Sequence, residues 1–301
     1  MTEADKYQWD DHIARTGDLL RTIFGTKATT GDAYLRWLYR GNPDGTPVQG
    51  NRDDIQGRTA HYMGVPQSYA RGEETASVHL AVNAAVAERA RGQKLFVATA
   101  SEMMAAADAR GTTGVIGVSN QNATPGSVKY LGYRLVRSLP VTVGLAVRQA
   151  KGALTGEPAV ARLLELEDAR SEAGWARRYD ETTLLWRLAC PAGPYTVVAT
   201  NTAAVVASRT TQGGLPFTVI LGTFASQPAD IMPLIGTACR VVGPRLFVHA
   251  GFNADTKVRG IPIPKRLRPA PLNMIWRAGA GGEAFAPEAL RRFEFLDFDL
   301  Y

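Results

Sequence analysis

The sequence predicts an α/β (α+β) protein made of two consecutive halves of similar size. Its length of 301 residues exceeds what a single hydrophobic core ordinarily holds. Runs that are typical of strands alternate along the chain with runs that are typical of helices. The order of these runs in the first half returns in the second half, so one fold is expected twice.

The first half is expected to begin with two helices and to continue with strands around a further helix. Apolar residues recur at helical spacing in residues 5–40 with a break at GTKATTGD, where Asp32 is a candidate cap for the second helix. TAHYMGVPQSYA is typical of a strand pair, which Pro66 is expected to make irregular. ASVHLAVNAAVA then predicts a strand, LFVATASEMMAAADARG a helix that ends at Gly111, and TGVIGVSN a buried strand. NATPGSVKYLG predicts a loop with a short helix, and YRLVRSLPVTVGLAV one or two strands.

A short segment divides the chain into two predicted domains. RQAKGALTGEPAV is rich in small residues and contains Gly156 and Pro158, which interrupt the strand-like composition. We therefore predict a first domain over residues 1–148, a linker over 149–159 and a second domain over 160–301. The second domain starts with a helical run and carries several strand-like runs, with the helical PADIMPLIGTACRVV between two of them.

Two pairs of segments suggest that the second half is a copy of the first. AYLRWLYRGNPDGTP resembles TLLWRLACPAGP, and VHLAVNAAV, helix, GVIGVSN resembles TVILGTFA, helix, RLFVHAGFN. We interpret this as a duplicated fold. The alternative is a coincidence between two generic α/β patterns.

Composition excludes several classes of protein. Hydrophobic residues make up 45% and charged residues 21% of the chain, as in ordinary globular proteins. The N-terminus lacks the apolar core of a signal peptide, and no apolar run reaches the ~18 residues of a membrane helix, so we expect a cytoplasmic protein. Cys190 and Cys239 are too few and too far apart for a zinc site, and no metal is predicted. The formal charge of +6 is shared by both halves, which favours anionic partners mildly and makes nucleic-acid binding a poor fit.

The segment RARGQKLF is a candidate phosphate-binding loop between a strand and a helix. The first amides of a helix lack intrahelical partners, and the positive end of its dipole attracts anions. Gly92 permits close approach of a phosphate, Arg91 and Lys94 add positive charge, and the helix from Leu95 supplies amides. Helical dihedrals at Lys94 are expected to keep its own amide available. The alternative is a glycine that serves only the geometry of the turn.

Residues 76–145 resemble the core of the GNAT (GCN5-related N-acetyltransferase) superfamily in their order of strand, loop and helix. In that superfamily the loop after the fourth strand reads Arg/Gln-x-x-Gly-x-Gly/Ala, and its amides bind the pyrophosphate of coenzyme A. Here Arg91 takes the first position of the pattern, and Lys94 stands where the pattern has Gly. The resemblance implies tandem GNAT-like domains, each a mixed, largely antiparallel sheet flanked by helices. It also implies acetyl-CoA or another acyl-CoA as co-substrate, held by Arg91, Gly92, Gln93, Lys94, Leu95 and Phe96.

The resemblance also implies where the pantetheine arm of the coenzyme would lie. In the superfamily it lies between the fourth and fifth strands, so the backbone of Ala84, Ala85 and Val86 would contact it. Asn120 and Asn122, just after the next strand, are candidates for further hydrogen bonds to it. The alternative for both asparagines is that they close a turn.

The catalytic groups are less clear from the sequence. Transfer from a thioester to an amine needs a base for the amine and an acid for the departing thiolate. His79, on a central strand, is the candidate base, and the alternative is a buried structural histidine. The position of the usual acid of the superfamily, a tyrosine, is occupied by Val128, and Tyr130 lies nearby on another face of the helix.

The function predicted from the sequence is acyl-CoA-dependent N-acyltransfer, in the first instance of acetyl, to the amine of a small molecule, sugar or peptide. The first alternative is a Fem-type aminoacyl transferase, also tandem GNAT-like, which uses charged tRNA. The second is a catalytically silent GNAT-like protein that only binds a ligand. In the second half the equivalent loop, TFASQPADIM, lacks the basic residue and the glycine, so no coenzyme site is expected there.

Overall fold

Two mixed sheets with packed helices form the protein, and the computed structural model describes residues 3–168, 174–268, 271–282 and 285–298. The helices are α1 (Glu3–Phe24), α2 (Asp32–Arg40), α3 (Leu95–Ala109), α4 (Ala123–Leu131), α5 (Glu157–Asp168), α6 (Glu181–Leu188), α7 (Met232–Val242) and α8 (Phe295–Phe298). The strands up to the middle of the chain are β1 (Val48–Asp54), β2 (Gly57–Arg71), β3 (Glu74–Val86), β4 (Gly114–Ser119), β5 (Arg134–Ser138), β6 (Val141–Leu145) and β7 (Leu154–Thr155). The remaining strands are β8 (Ala176–Arg177), β9 (Thr196–Ala199), β10 (Ala203–Gln212), β11 (Leu215–Ala225), β12 (Leu246–Asn253), β13 (Ile261–Pro262), β14 (Asn273–Ala278) and β15 (Arg292–Glu294). None of the helices within these ranges is long and apolar enough to cross a membrane.

Each sheet contains one parallel pair of strands among antiparallel pairs. The first sheet has the order β1-β2-β3-β4-β14-β5, and the second has β13-β6-β12-β11-β10-β9-β7. β3 is parallel to β4 and β11 is parallel to β12, whereas the other pairs between the described strands are antiparallel. The prediction of mixed, largely antiparallel sheets flanked by helices is therefore confirmed.

The two halves of the chain exchange one strand each. β14, from the second half, lies between β4 and β5 in the first sheet. β6, from the first half, lies between β12 and β13 in the second sheet. The two exchanged strands hold the same position in their sheets, next to the second strand of the parallel pair. The boundary at 149–159 stays a prediction, but the sheets do not divide along it.

A second sign of the internal symmetry is the contact between α2 and α6, the helices of the two matched segments. The indole rings of Trp37 and Trp186 stack with centroids 4.6 Å apart. Each indole Nε1 donates to the backbone oxygen of the other tryptophan, at 2.8 and 3.1 Å. Such a reciprocal contact is what a two-fold relation between two copies produces. It supports the duplicated fold over coincidence.

Two local expectations from the sequence are wrong for identifiable reasons. β2 runs without interruption through Pro66, because β1 pairs with β2 only as far as Gly64. The carbonyl oxygen of Pro66 accepts a hydrogen bond from Asn42 Nδ2 at 2.9 Å. On this side of β2 no neighbouring strand of the described chain pairs with Pro66, so the sheet does not require the N–H that proline lacks. Asp32 does not cap α2 but is its first residue, and its carboxylate pairs with Arg21.

The core around the first sheet is divided by the sheet itself. On one face α3 packs Ala100, Met103 and Ala107 against the sheet. On the other face the sheet meets buried side chains of the C-terminal segment, among them Phe293 and Phe298. The cluster that includes α1 and α2 adjoins this second face through Val82. The candidate site lies where the sheet opens between these two faces.

Candidate active site

The first sheet opens between its two parallel strands. β3 and β4 pair from Val78 opposite Gly114 to Ala81 opposite Gly117. Beyond that point β3 continues to Val86 and β4 to Ser119, but the two strands no longer pair with each other. A cleft of about 290 Å³ occupies the gap. Its strand walls are Ala81, Val82, Asn83 and Ala84 on one side and Gly117, Val118, Ser119 and Asn120 on the other.

A β-bulge in β3 shapes this opening. His61 pairs with Ala85 and Met63 with Val82, so Asn83 and Ala84 together lie opposite Tyr62. Asn83 has a φ of +54°, a left-handed conformation that costs a non-glycine residue on the order of 1–3 kcal/mol. Its side chain donates from Nδ2 to the hydroxyl of buried Tyr39 at 2.5 Å, which holds the bulge. The bulge separates the rest of β3 from β4.

The cleft passes from one face of the sheet to the other. The wall on the α3 and α4 face consists of Tyr62, Phe96, Ala123, Ser127 and Ile275. The wall on the opposite face comes from the segment between α1 and α2, from the start of α2 and from α8, and consists of Phe24, Lys27, Thr29, Thr30, Tyr34 and Phe298. Two different molecules can therefore reach the gap from opposite faces of the sheet.

The loop before α3 presents a row of unpaired amides at the first of these faces. Gly92 has a φ of +82°, and a Cβ placed there would meet no atom within 4 Å. Within the described ranges, the amides of residues 92–96 have no hydrogen-bond acceptor, and the first amides of the helix that do are those of Val97 and Ala98, which bond to the carbonyl of Lys94. Phe96 lines the cleft, so this row ends at the cleft. Unpaired amides at a helix start form a site for an anion such as a phosphate.

Lys94 does not adopt the helical dihedrals expected for it. Its φ of +57° and ψ of 21° are left-handed, and it directly precedes the first residue of α3. The physical reason is that the chain must turn from the loop into the helix within one residue, which glycine does without steric cost. The side chains around the loop are exposed, with Arg91 near Glu88 and Arg89 held by Asp54 at 3.0 Å. Arg89, three residues before Gly92, is thus held beside the loop.

The structure places some of the predicted pantetheine contacts in the cleft and others outside it. Ala84 lines the cleft, whereas Ala85 and Val86 pair with β2 and do not line it. Asn120 lines the cleft, but its Oδ1 accepts from the amides of Asn122 and Ala123 and so closes the turn that leads into α4. Asn122 is exposed and does not line the cleft. For Asn120 the turn-closing alternative is the one with observed hydrogen bonds, and Asn122 joins that turn through its backbone amide.

The structure does not bring His79 to the cleft. Its ring is buried under α3, and Nδ1 lies 3.0 Å from the hydroxyl of Thr112. Within the described chain, Nε2 has no hydrogen-bond partner. Burial, with a smaller contribution from nearby Arg110, lowers the pKa of His79 to about 4. These surroundings match the alternative of a structural histidine, because protonation would leave a buried charge without an acceptor.

Tyr130 also lies away from the cleft. Its ring is 59% exposed and stacks under the ammonium of Lys129. Val128, at the position of the usual acid, is exposed as well. The residues of α4 that do line the cleft are Ala123 and buried Ser127, whose hydroxyl donates to the carbonyl of Ala123 at 3.0 Å.

A tyrosine that was not among the predicted catalytic residues does line the cleft. Tyr62 of β2 is buried, and its hydroxyl lies 3.5 Å from that of Tyr133. Burial raises the pKa of both phenols, so both keep their protons at neutral pH. The ring of Tyr62 packs edge-on against Phe96. The signal in the sequence was an aromatic residue opposite the bulged Asn83, and no periodicity reveals a bulge.

The equivalent opening in the second sheet is filled. β11 and β12 pair in parallel as far as Ile220 opposite His249. Just beyond, the fully buried carboxylate of Glu294 accepts from the amide of Thr223 at 2.8 Å and from its hydroxyl at 2.7 Å, and lies 2.8 Å from His249 Nε2. The side chain of Leu296 packs against Gly222 of β11 in the same opening. The C-terminal segment thus occupies in the second half the position of the cleft in the first.

No metal-binding group emerges from the parts of the chain that are described. Within them no three side chains of histidine, cysteine, aspartate or glutamate come close enough to hold a metal ion.

Comparison with known proteins shows which fold this chain has. No family model and no curated protein matches the sequence. Among solved structures, one from Enterococcus faecalis V583, described as a conserved protein of unknown function and probable N-acyltransferase, matches with a TM-score of 0.61 and 13% identity over 89% of this chain and 70% of that one. A GCN5-related N-acetyltransferase from Anabaena variabilis ATCC 29413 matches with a TM-score of 0.58 and 9% identity over 88% of this chain and 70% of that one. The likeness shows that this chain has the GNAT fold, as its resemblance predicted.

Proposed function

We propose that the chain transfers an acyl group, in the first instance acetyl, from an acyl-CoA to an amine. The observation that carries the proposal is the cleft through the sheet, which has a row of unpaired amides on one face and an opening on the other. This arrangement suits a reaction between a coenzyme and a second substrate, because each reactant can enter from its own face and the two are held close together in the gap. The similarity to structures described as N-acyltransferases supports it.

The amides of residues 92–96 would hold the pyrophosphate, with Arg91 and Lys94 adding positive charge. From there the pantetheine would pass Phe96 into the gap between β3 and β4. The backbone of Val82, Asn83 and Ala84 lies along this path and would contact it. This path moves the predicted contacts from residues 84–86 to residues 82–84.

The reaction would be a direct attack. The amine nitrogen forms a bond to the thioester carbonyl carbon, the C–S bond breaks, and the amine loses a proton while the thiolate gains one. Tyr62 is our candidate for the proton donor, because it lines the cleft and its raised pKa keeps it protonated at neutral pH. The described lining residues include no carboxylate and no imidazole, so the amine has to arrive unprotonated or pass its proton to water.

Thermal unfolding with and without acetyl-CoA tests the coenzyme site. A ligand that binds only the folded state at a hundred times its dissociation constant stabilises it by about 2.7 kcal/mol. We expect a clear rise of the melting temperature for the wild type, a small one for Gly92→Asp and a nearly full one for Gly92→Asn. Asp and Asn share a shape and both tolerate positive φ, so only the repulsion between carboxylate and pyrophosphate separates the two variants. A wild type that does not respond to acetyl-CoA rules the proposal out.

The second candidate is the catalytically silent ligand-binding protein. It is favoured by one observation, namely that neither His79 nor Tyr130 lines the cleft. Coenzyme binding without release of free thiol in the presence of amines would select this candidate. A large loss of turnover in Tyr62→Phe with coenzyme binding retained would select the enzyme. The use of charged tRNA stays a prediction, and binding of aminoacyl-tRNA by a chain that does not bind acetyl-CoA would favour it.

A further inference from the structure

The face of the cleft opposite the unpaired amides is where the second substrate would enter, and its wall is mainly aromatic. Phe24, Tyr34 and Phe298 contribute rings to it. Tyr34 and Phe298 are almost fully buried, whereas Phe24 is 44% exposed and stands at the opening. Rings of this kind favour a flat or apolar body in the bound molecule.

The charge of the lining is carried by one residue. Among the described residues that line the cleft, Lys27 alone is charged, and it lies exposed at the opening. Within the described chain its ammonium forms no ion pair with a carboxylate. A polycation would lose water here without gaining a counter-charge, which is costly, whereas a carboxylate would gain one.

The position of Lys27 is fixed by the turn that carries it. The hydroxyl of Thr30 accepts from the amide of Lys27 at 3.0 Å and lies 3.0 Å from the carbonyl oxygen of Gly25. Arg21 donates to the carbonyl of Thr30 at 3.1 Å and pairs with Asp32, which ties the turn to both flanking helices. The cation is therefore presented at the opening by a structured segment.

We infer that the acceptor is an aromatic or apolar amine that also carries a carboxylate, as in an apolar amino acid. This inference rests on the proposed function. The carboxylate pairs with Lys27, the body lies against the rings of Phe24 and Tyr34, and the amine points into the gap between β3 and β4. Polyamines and other polycations are excluded by the same residues.

Acceptor preference tests the inference, with phenylalanine, phenethylamine and spermidine as probes and release of the coenzyme thiol as the readout. Phenethylamine has the body and amine of phenylalanine without its carboxylate. For the wild type we expect kcat/KM for phenylalanine to exceed that for phenethylamine about tenfold, as a charge-assisted contact at a partly exposed site allows. Lys27→Ala should remove the preference, Lys27→Glu should reverse it, and Lys151→Ala, at an exposed lysine away from the cleft, should leave it unchanged.

Calorimetric binding of phenylalanine and phenethylamine separates a failure of this inference from a failure of the proposed function, because it needs no turnover. Tighter binding of phenylalanine that depends on Lys27 supports the binding site for a carboxylate-bearing amine, and it does so even if acetyl-CoA fails to bind and the proposed function falls. Equal binding of the two amines, tighter binding of spermidine, or no binding of any of the three overturns the inference while leaving the coenzyme site to its own test.

Discussion

Replacement of His79 by leucine should remove part of the acid sensitivity of the protein. His79 is buried, and its folded-state pKa of about 4 lies below the ordinary value of 6.5. A group of this kind contributes stability that is fully present above its unfolded pKa. That stability is lost as the pH falls from about 6.5 toward the folded pKa, because protonation favours the unfolded chain.

The magnitude follows from the shift. Each pKa unit corresponds to about 1.36 kcal/mol, so between about pH 7.5 and about pH 5 the protonation of His79 should cost roughly 2 kcal/mol. At about pH 7.5 the substitution itself should change stability by less than about 1 kcal/mol. The reason is that the described hydrogen bond of the His79 ring is to the hydroxyl of Thr112, and this hydroxyl keeps other partners, the carbonyls of Ser77 and Gly114, when the ring is removed.

Urea unfolding of wild type and His79→Leu at the two pH values measures the effect. We expect the wild type to lose roughly 2 kcal/mol more than the variant on acidification. His12 and His61 are also buried with lowered pKa values, so the variant should keep a weaker acid sensitivity. Equal losses in wild type and variant would refute the assignment of His79 as a buried neutral histidine. A loss of turnover in His79→Leu without a change in stability would restore it as a base.

Three further changes test other parts of the structure. Lys94→Gly should raise the free energy of unfolding by about 0.5–1 kcal/mol, whereas Lys94→Ala, which keeps a Cβ at positive φ, should not raise it. Equal free energies for the two variants would contradict the left-handed conformation of Lys94. Glu294→Ala should cost on the order of 3 kcal/mol and Glu294→Gln clearly less, since the amide of Thr223 keeps an acceptor only in the second; similar costs would argue against the filled opening. Leucine substitutions of Trp37 and Trp186 should show a coupling of about 1 kcal/mol in a double-mutant cycle of urea unfolding, and additive effects would speak against the stacked pair.

The sequence predicts the local elements of the fold well and their assembly poorly. The two N-terminal helices, the strand before Arg91, the helix from Leu95 and the following strand and helix all form, because each depends on the periodicity of a short run of residues. The exchange of β6 and β14 was not foreseen. Both strands carry ordinary strand composition, and nothing within five or six residues specifies which of two similar sheets they join.

The candidate site shows the same division. The loop around Gly92 could be found from its residues, since glycine beside basic residues before a helix has a local physical meaning. The cleft could not, because its walls are brought together from Phe24, Tyr62, Ile275 and Phe298, which are far apart in the chain. The position of His79 away from the cleft could not be predicted for a related reason, as the alternation along a strand gives two faces without saying which one meets the cleft.

The exchange of β6 and β14 sets the order in which the chain can fold during its synthesis. Ser119 of β4 meets Asn273 of β14 across 154 residues of sequence, so the first sheet stays incomplete until most of the chain has left the ribosome. Until then β4 and β5 have no strand between them, and their unpaired edges are exposed to other nascent chains. A chain cut short before β14 would keep those edges permanently. Its fate would be aggregation, however well its own helices and strands had formed.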